Sequence, residues 1–242
     1  MIQPMPPLLL LADSNPLFCH IDRKPVLVYF FAEYDCFPEN AAYVGAANGD
    51  EPAYFEIFKA AALRLGCRRV HMISSSFELK DRKHLAESDW ICLAGGDPLL
   101  GWDRMNRAGM LPVLQEARTR GAIVMGVSAG AVQMGLMRGR AEANGAGSPD
   151  ERERHSVGFG WLPWLIDAHQ EERDWSRLRG AHRALGGRHA AFGVPWRSVA
   201  VAEPDRLPRW LFGGTNHLWL PREGSGPVST GDAEEGTEPS RP

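Results

Sequence analysis

The chain has 242 residues, enough for one large α/β domain with a sizeable core. Its formal net charge is −3 with both signs interspersed, which excludes the basic footprint of a nucleic-acid-binding surface. No apolar run has transmembrane length, and the leucine cluster of Met1–Asp13 lacks the basic flank and cleavage pattern of a signal peptide, so a cytoplasmic protein without membrane contact is expected. Cys19, Cys36, Cys67 and Cys92 show no C-x-x-C spacing and read as free thiols, mostly buried.

In chain order, Pro7–Ala12 reads as the first strand and Asp13-Ser14-Asn15-Pro16 as a turn. Val26–Phe31 is apolar and β-rich, a second strand or hairpin arm. Ala41–Ala46 is a third, ending in Ala47-Asn48-Gly49-Asp50. A helix follows from Pro52 to Leu65, with Phe55, Phe58, Ala62 and Leu65 on one stripe and Gly66 as its cap. Arg69–Ile73 is a strand, Glu78–Glu87 a polar helix and Trp90–Ala94 a buried strand that stops at Gly95-Gly96. Asp97 suits an N-cap and Pro98 the first helical position. Met110–Arg120 is a helix that feeds a strand over Ala122–Val127. Strands alternating with helices predict a doubly wound, mostly parallel sheet with its ligand site at the carboxyl strand ends.

Beyond Gly135 the pattern loosens. Asn144–Glu153 reads as a surface loop and Gln170–Leu185 as a charged helix. Ala190–Val194, Ser198–Ala202, Trp210–Phe212 and His217–Leu220 read as short strands of a sheet edge or meander. Residues 1–220 are therefore expected to form a single α/β domain. Residues 221–242, rich in Gly, Pro, Ser and Glu, are expected to form a disordered tail.

The most informative stretch is Gly126-Val127-Ser128-Ala129-Gly130. An apolar β-branched run leads into it and a helical pattern leaves it, the strand–turn–helix context of a nucleophile elbow. The turn is sterically crowded, so small residues flank the serine. Its hydroxyl stands at a helix start, where free N–H groups favour a developing anion.

Three further segments accompany the elbow: Tyr43-Val44-Gly45-Ala46-Ala47-Asn48-Gly49-Asp50, Leu93-Ala94-Gly95-Gly96-Asp97 and Ile166-Asp167-Ala168-His169. In this order and spacing they resemble the S51 serine peptidases, the family of aspartyl dipeptidase (peptidase E) and cyanophycinase, over roughly Pro7 to Glu203. The resemblance implies a flavodoxin-like, three-layer fold of the class I glutamine amidotransferase type, with serine in place of cysteine.

The same resemblance makes Ser128 the nucleophile and His169 the general base, with Gly95, Gly96 and Ala129 as the oxyanion hole. A serine needs an adjacent base, and backbone N–H donors must face the tetrahedral oxyanion. For the orienting acid the resemblance points to Glu142, 14 residues past Ser128, with Asp150 and Glu151 as nearby alternatives. Asp167 is expected on the same strand face as His169, although the family reads that position as structural.

Asp97 and Arg197 are candidate substrate contacts; Arg138, Arg140 and Arg173 could likewise pair a substrate carboxylate. Many relatives carry an acidic turn before the last strands. Here Gly193-Val194-Pro195-Trp196-Arg197 takes its place, so an aspartyl preference is not assumed to carry over.

The expected activity is a serine peptidase or amidohydrolase that cleaves an amide bond in a short peptide or amino-acid conjugate through an acyl-enzyme. A hydrolase of a non-peptide amide and a non-catalytic binding protein are the alternatives. No cofactor and no metal is expected; the partner is the small substrate, with no nucleic acid and no membrane, and a homodimer is allowed.

Overall fold

The computed structural model describes residues 5–138 and 156–222. The loop expected at Asn144–Glu153, nearly all of the expected tail, and Glu142, Arg140, Asp150 and Glu151 lie outside the described residues. A seven-stranded sheet forms the centre, in the order β13-β12-β1-β7-β6-β4-β5. Its parallel strands are β1 (Leu8–Leu11), β4 (Asn40–Val44), β5 (Arg69–Ile73), β6 (Trp90–Leu93) and β7 (Ile123–Val127). β12 (Val199–Ala202) joins β1 antiparallel, and β13 (Arg209–Phe212) extends that edge.

The central strands read as unbroken apolar runs because both of their faces are covered. Leu8 and Leu10 of β1 enter one buried cluster, and Leu9 and Leu11 the other. Each such side chain contributes roughly 1.5–3 kcal/mol on burial. One face is covered by α1 (Val26–Glu33) and α2 (Pro52–Arg64), through Phe30, Phe31, Phe58 and Ala62. The other is covered by α3 (Leu79–Ala86), α4 (Pro98–Ala108), α5 (Leu111–Thr119) and α6 (Ala129–Met134). Among the described residues, no helix is long and apolar enough to cross a membrane.

On that second face lies a three-stranded sheet of β10 (Trp164–Ala168), β11 (Ala190–Val194) and β14 (Leu218–Leu220). Trp164, Ile166 and Phe192 anchor it to the core. The expected meander of late strands is thus divided between two sheets. Two short ribbons pair β2 (His20–Ile21) with β3 (Lys24–Pro25), and β8 (Met137–Arg138) with β9 (Ser156–Val157).

Two sequence expectations change. Val26–Phe31 is helical, not a strand: Pro25 starts α1, and its buried residues are Val26, Leu27, Phe30 and Phe31. That i, i+1, i+4, i+5 stripe is a helical period hidden in a segment apolar all round. Gln170–Leu185 is not one helix. A 3₁₀ turn over Glu171–Arg173 is followed by left-handed Asp174 and Trp175, and only then by α7 (Ser176–Ala184). Burial of the Trp175 ring at this break makes it tertiary in origin. The four cysteines are free; Cys67 and Cys92 are buried, Cys19 and Cys36 half-buried.

At the far edge of the sheet, His71 of β5 stacks on His84 of α3, with ring centroids 3.7 Å apart and planes at 12°. Burial, then the charges of His84 and Arg69, lowers the His71 pKa from its ordinary value, with Glu87 opposing. The unfolded chain therefore binds a proton at this site more readily than the folded protein. Stability from this source is present above the ordinary histidine value of about 6.5 and is lost as pH falls below it. Urea midpoints followed by circular dichroism should decline as pH falls below about 6.5. The decline should be shallower in His71→Gln; an unchanged slope would remove this stack as its source.

Candidate active site

Four adjacent parallel strands, β1, β7, β6 and β4, end at one cleft of about 340 Å³. Their exits supply Ala12 and Asp13, then Ser128, then Ala94, Gly95 and Gly96, and finally Asn48. The cleft thus sits where open α/β sheets place their ligands.

Ser128 holds φ 49° and ψ −106°, strained for a residue with a Cβ. The surroundings enforce that strain. A Cβ on Gly130 would lie 2.1 Å from the Leu93 carbonyl oxygen, and one on Gly126 would lie 2.4 Å from the Ala131 nitrogen. Gly130 lets α6 start this close to β6, and Gly126 lets it start this close to β7. The Ser128 amide donates to the Leu11 carbonyl at 2.8 Å, tying the turn to β1.

His169 comes from the second sheet, one residue past β10. Its amide donates to the Val194 carbonyl at 2.9 Å, and its φ of 45° turns the ring out of the strand. The imidazole Nε2 and the Ser128 Oγ lie 2.8 Å apart, hydrogen-bond distance. An imidazole in that place can take the hydroxyl proton.

The same turn corrects the expected shared face of Asp167 and His169, because strand alternation stops at Ala168. Asp167 is buried and bonded instead to Arg177, whose Nε donates to Oδ2 at 2.8 Å. That hydrogen bond raises the Arg177 pKa further above its ordinary value. Among the described residues, no carboxylate is hydrogen-bonded to the His169 ring.

The glycines predicted for the oxyanion hole border the serine. Gly95 and Gly96 line the cleft with it, and a Cβ on Gly95 would lie 3.5 Å from the Ser128 Cβ. Gly96 has φ 138°, and its Cα face presses on the Ala47 carbonyl, which accepts the Asp97 amide at 2.9 Å. Among the described residues, the amides of Gly95, Gly96 and Ala129 donate to no backbone carbonyl. The Ala129 amide is also one of the first N–H groups of α6, which have no partner within a helix.

Asp97 is the N-cap of α4: its Oδ1 accepts from the Leu99 and Leu100 amides, both at 2.9 Å. Arg197 is exposed, and its amide donates to Asp13 Oδ2 at 2.7 Å. Neither side chain lines the cleft. Arg173 sits in the 3₁₀ turn, and only the backbone of Arg138 is described. Among the described residues, no group of three or more His, Cys, Asp or Glu side chains could hold a metal ion.

Two neighbours of the histidine carried no sequence signal. The Trp196 ring stacks on the His169 imidazole at 4.7 Å and 28°, while remaining 48% exposed. Glu171 holds that turn: its Oε1 accepts from the Trp196 amide at 2.7 Å. Glu171 Oε2 is buried without a hydrogen-bond partner among the described residues. The Pro-Trp-Arg departure in the sequence marked the turn, but nothing in it linked Trp196 to Glu171, which precedes it by 25 residues.

The sequence model of Peptidase family S51 matches residues 27–187. Among solved structures, a protein from Listeria monocytogenes EGD-e provisionally named peptidase E superposes with a TM-score of 0.60 at 15% identity. That match covers 86% of this chain and 99% of the other. A peptidase from an acI-B1 actinobacterium superposes with a TM-score of 0.56, also at 15% identity, covering 92% of this chain and 97% of that one. At such identity the likeness shows the fold. No curated protein matches the sequence.

Variants at two positions test these placements. Asp97→Ala should cost about 1 kcal/mol of stability by loss of the cap, and Asp97→Ser much less. Equal midpoints in urea for the two would refute the capping role. Glu171→Ala frees the Trp196 turn and should slow fluorophosphonate labelling of Ser128 about tenfold. Glu171→Gln, which can still accept from the amide, should stay within about threefold of wild type.

Proposed function

We propose that this chain, which belongs to peptidase family S51, is a serine peptidase that cleaves an amide bond in a short peptide or amino-acid conjugate through an acyl-enzyme. The observation that carries this reading is the 2.8 Å contact between Ser128 Oγ and His169 Nε2, both of which line the cleft. A binding protein keeping the elbow only as a turn would have no reason to hold an imidazole there, delivered from a separate sheet.

In the proposed reaction, Ser128 Oγ attacks the scissile carbonyl as His169 Nε2 takes its proton. The amides of Gly95, Gly96 and Ala129 are the proposed donors to the resulting oxyanion. Collapse of the intermediate breaks the C–N bond, and His169 returns the proton to the departing amine. Water, deprotonated by the same imidazole, then releases the acid and restores the serine. A carboxylate that stabilises the imidazolium would complete the set; Glu142 remains the proposal for it, on the spacing of the resemblance alone. The cleft is small, about 340 Å³, which supports a short substrate. A small substrate as the sole partner and a cytoplasmic setting belong to the same proposal.

The test is labelling followed by intact mass. A fluorophosphonate should add once to the wild type, and Ser128→Ala should abolish the adduct while leaving the circular dichroism spectrum unchanged. His169→Ala should slow labelling by about 10²-fold or more. An adduct retained by Ser128→Ala would overturn the assignment.

A further inference from the structure

We infer that the cleft selects substrates whose acyl residue carries a large apolar or aromatic side chain, and that it rejects an acidic one. This rests on the hydrolase reading and names the substrate class of the same site.

The cleft begins at Ser128 and Gly95 and runs toward α2. Its far wall is made by Tyr43 of β4, Cys92 of β6, and Tyr54, Ile57 and Phe58 of α2. Leu17, from the turn after β1, adds a further apolar contact. The volume of about 340 Å³ lies at the small end of ligand sites, suited to one large side chain and not to an extended peptide.

Charge separates the candidates more sharply than shape. Among the described residues that line the cleft, no lysine or arginine is present, and Asp13 is the one side chain with a formal charge. Its carboxylate is fixed in place, accepting from the Asn15 amide at 2.7 Å and from the Arg197 amide at 2.7 Å. A substrate carboxylate would meet this anion and find, among the described lining residues, no cation to offset its desolvation.

The polar pair in the wall does not change that balance. Asn48 Nδ2 donates to the Tyr43 hydroxyl oxygen at 2.8 Å, and the Asn48 Oδ1 accepts from the Glu51 amide. Burial raises the Tyr43 pKa above its ordinary value, so the phenol stays neutral. The neutral Tyr43 O–H and the second Asn48 Nδ2–H remain to be donated. They suit a phenol or a carbonyl but compensate only part of what a carboxylate loses on leaving water.

The test compares aminoacyl phosphonate diphenyl esters of Phe, Leu, Asp and Lys as acylation mimics of Ser128, alongside a fluorophosphonate with no amino-acid side chain. Second-order labelling rates are read by intact mass. The Phe and Leu esters should label about 10- to 200-fold faster than the Asp ester. Rates within about threefold of one another, a faster Asp ester, or no labelling by any ester while the fluorophosphonate still labels Ser128, would overturn the specificity and leave the hydrolase reading standing. Absence of fluorophosphonate labelling would instead remove the hydrolase reading and this inference with it. Ile57, 38% exposed on α2, gives the second arm. Ile57→Arg places a cation at the cleft without disturbing the core and should narrow the Phe-to-Asp ratio at least about tenfold. An unchanged ratio would show that the cleft does not hold the acyl side chain.

Discussion

Everything at this site depends on how closely α6 can start against β6. Gly130 brings the helix backbone against the Leu93 carbonyl, Gly126 brings β7 against the Gly130–Ala131 backbone, and the chain between must fold into the strained turn at Ser128. A methyl group at either glycine would push the turn outward. The same proximity sets Gly95 beside the serine, so the glycine turn and the hydroxyl are placed by one packing decision. Strain of about 1–3 kcal/mol at such a residue persists only where the surroundings over-determine it. Here they do so through the Leu11 carbonyl, the glycine contacts and the burial of Ala129 and Ala131.

The parts of this arrangement that were legible in sequence are those fixed by local rules. Glycines around Ser128, Asp97 with Pro98, and apolar runs ending in small residues each have a short-range mechanism. They located the elbow, the capped helix and the strand ends. Local rules failed where long-range packing decided. α1 hid its period because nearly every residue in it is apolar. The break at Asp174 and Trp175 answers to burial of a tryptophan ring in the core, not to helix propensity. The face expected for Asp167 was wrong because a left-handed residue, His169, ended the alternation that the argument used. Glu171 and Trp196 became neighbours only through folding.

The environment of the histidine also illustrates how a polar pair is supported by unlike means. On one side the imidazole meets the serine hydroxyl; across its face lies a tryptophan held by a carboxylate through the backbone. Stacking restricts the ring's rotation without consuming either nitrogen. The cleft beyond is walled largely by aromatic and aliphatic groups, so the hydroxyl and the imidazole sit at the boundary between a mainly apolar pocket and solvent, where electrostatic interactions are stronger than in water.

Ser128 and His169 belong to different sheets, and α6 spans the gap. It carries the serine at one end; just past the other, the Leu136 amide donates to the Trp164 carbonyl of β10 at 2.8 Å. A Cβ on Gly135 would strike that same carbonyl at 2.5 Å, so the seam admits no padding. The distance between hydroxyl and imidazole is therefore a gauge of how the two sheets are docked. A small slip of the three-stranded sheet, too slight to expose much apolar surface or to alter secondary structure, would separate the pair while both sheets stayed intact. Catalytic competence in such a protein measures alignment, not foldedness, and the two can be lost at different thresholds.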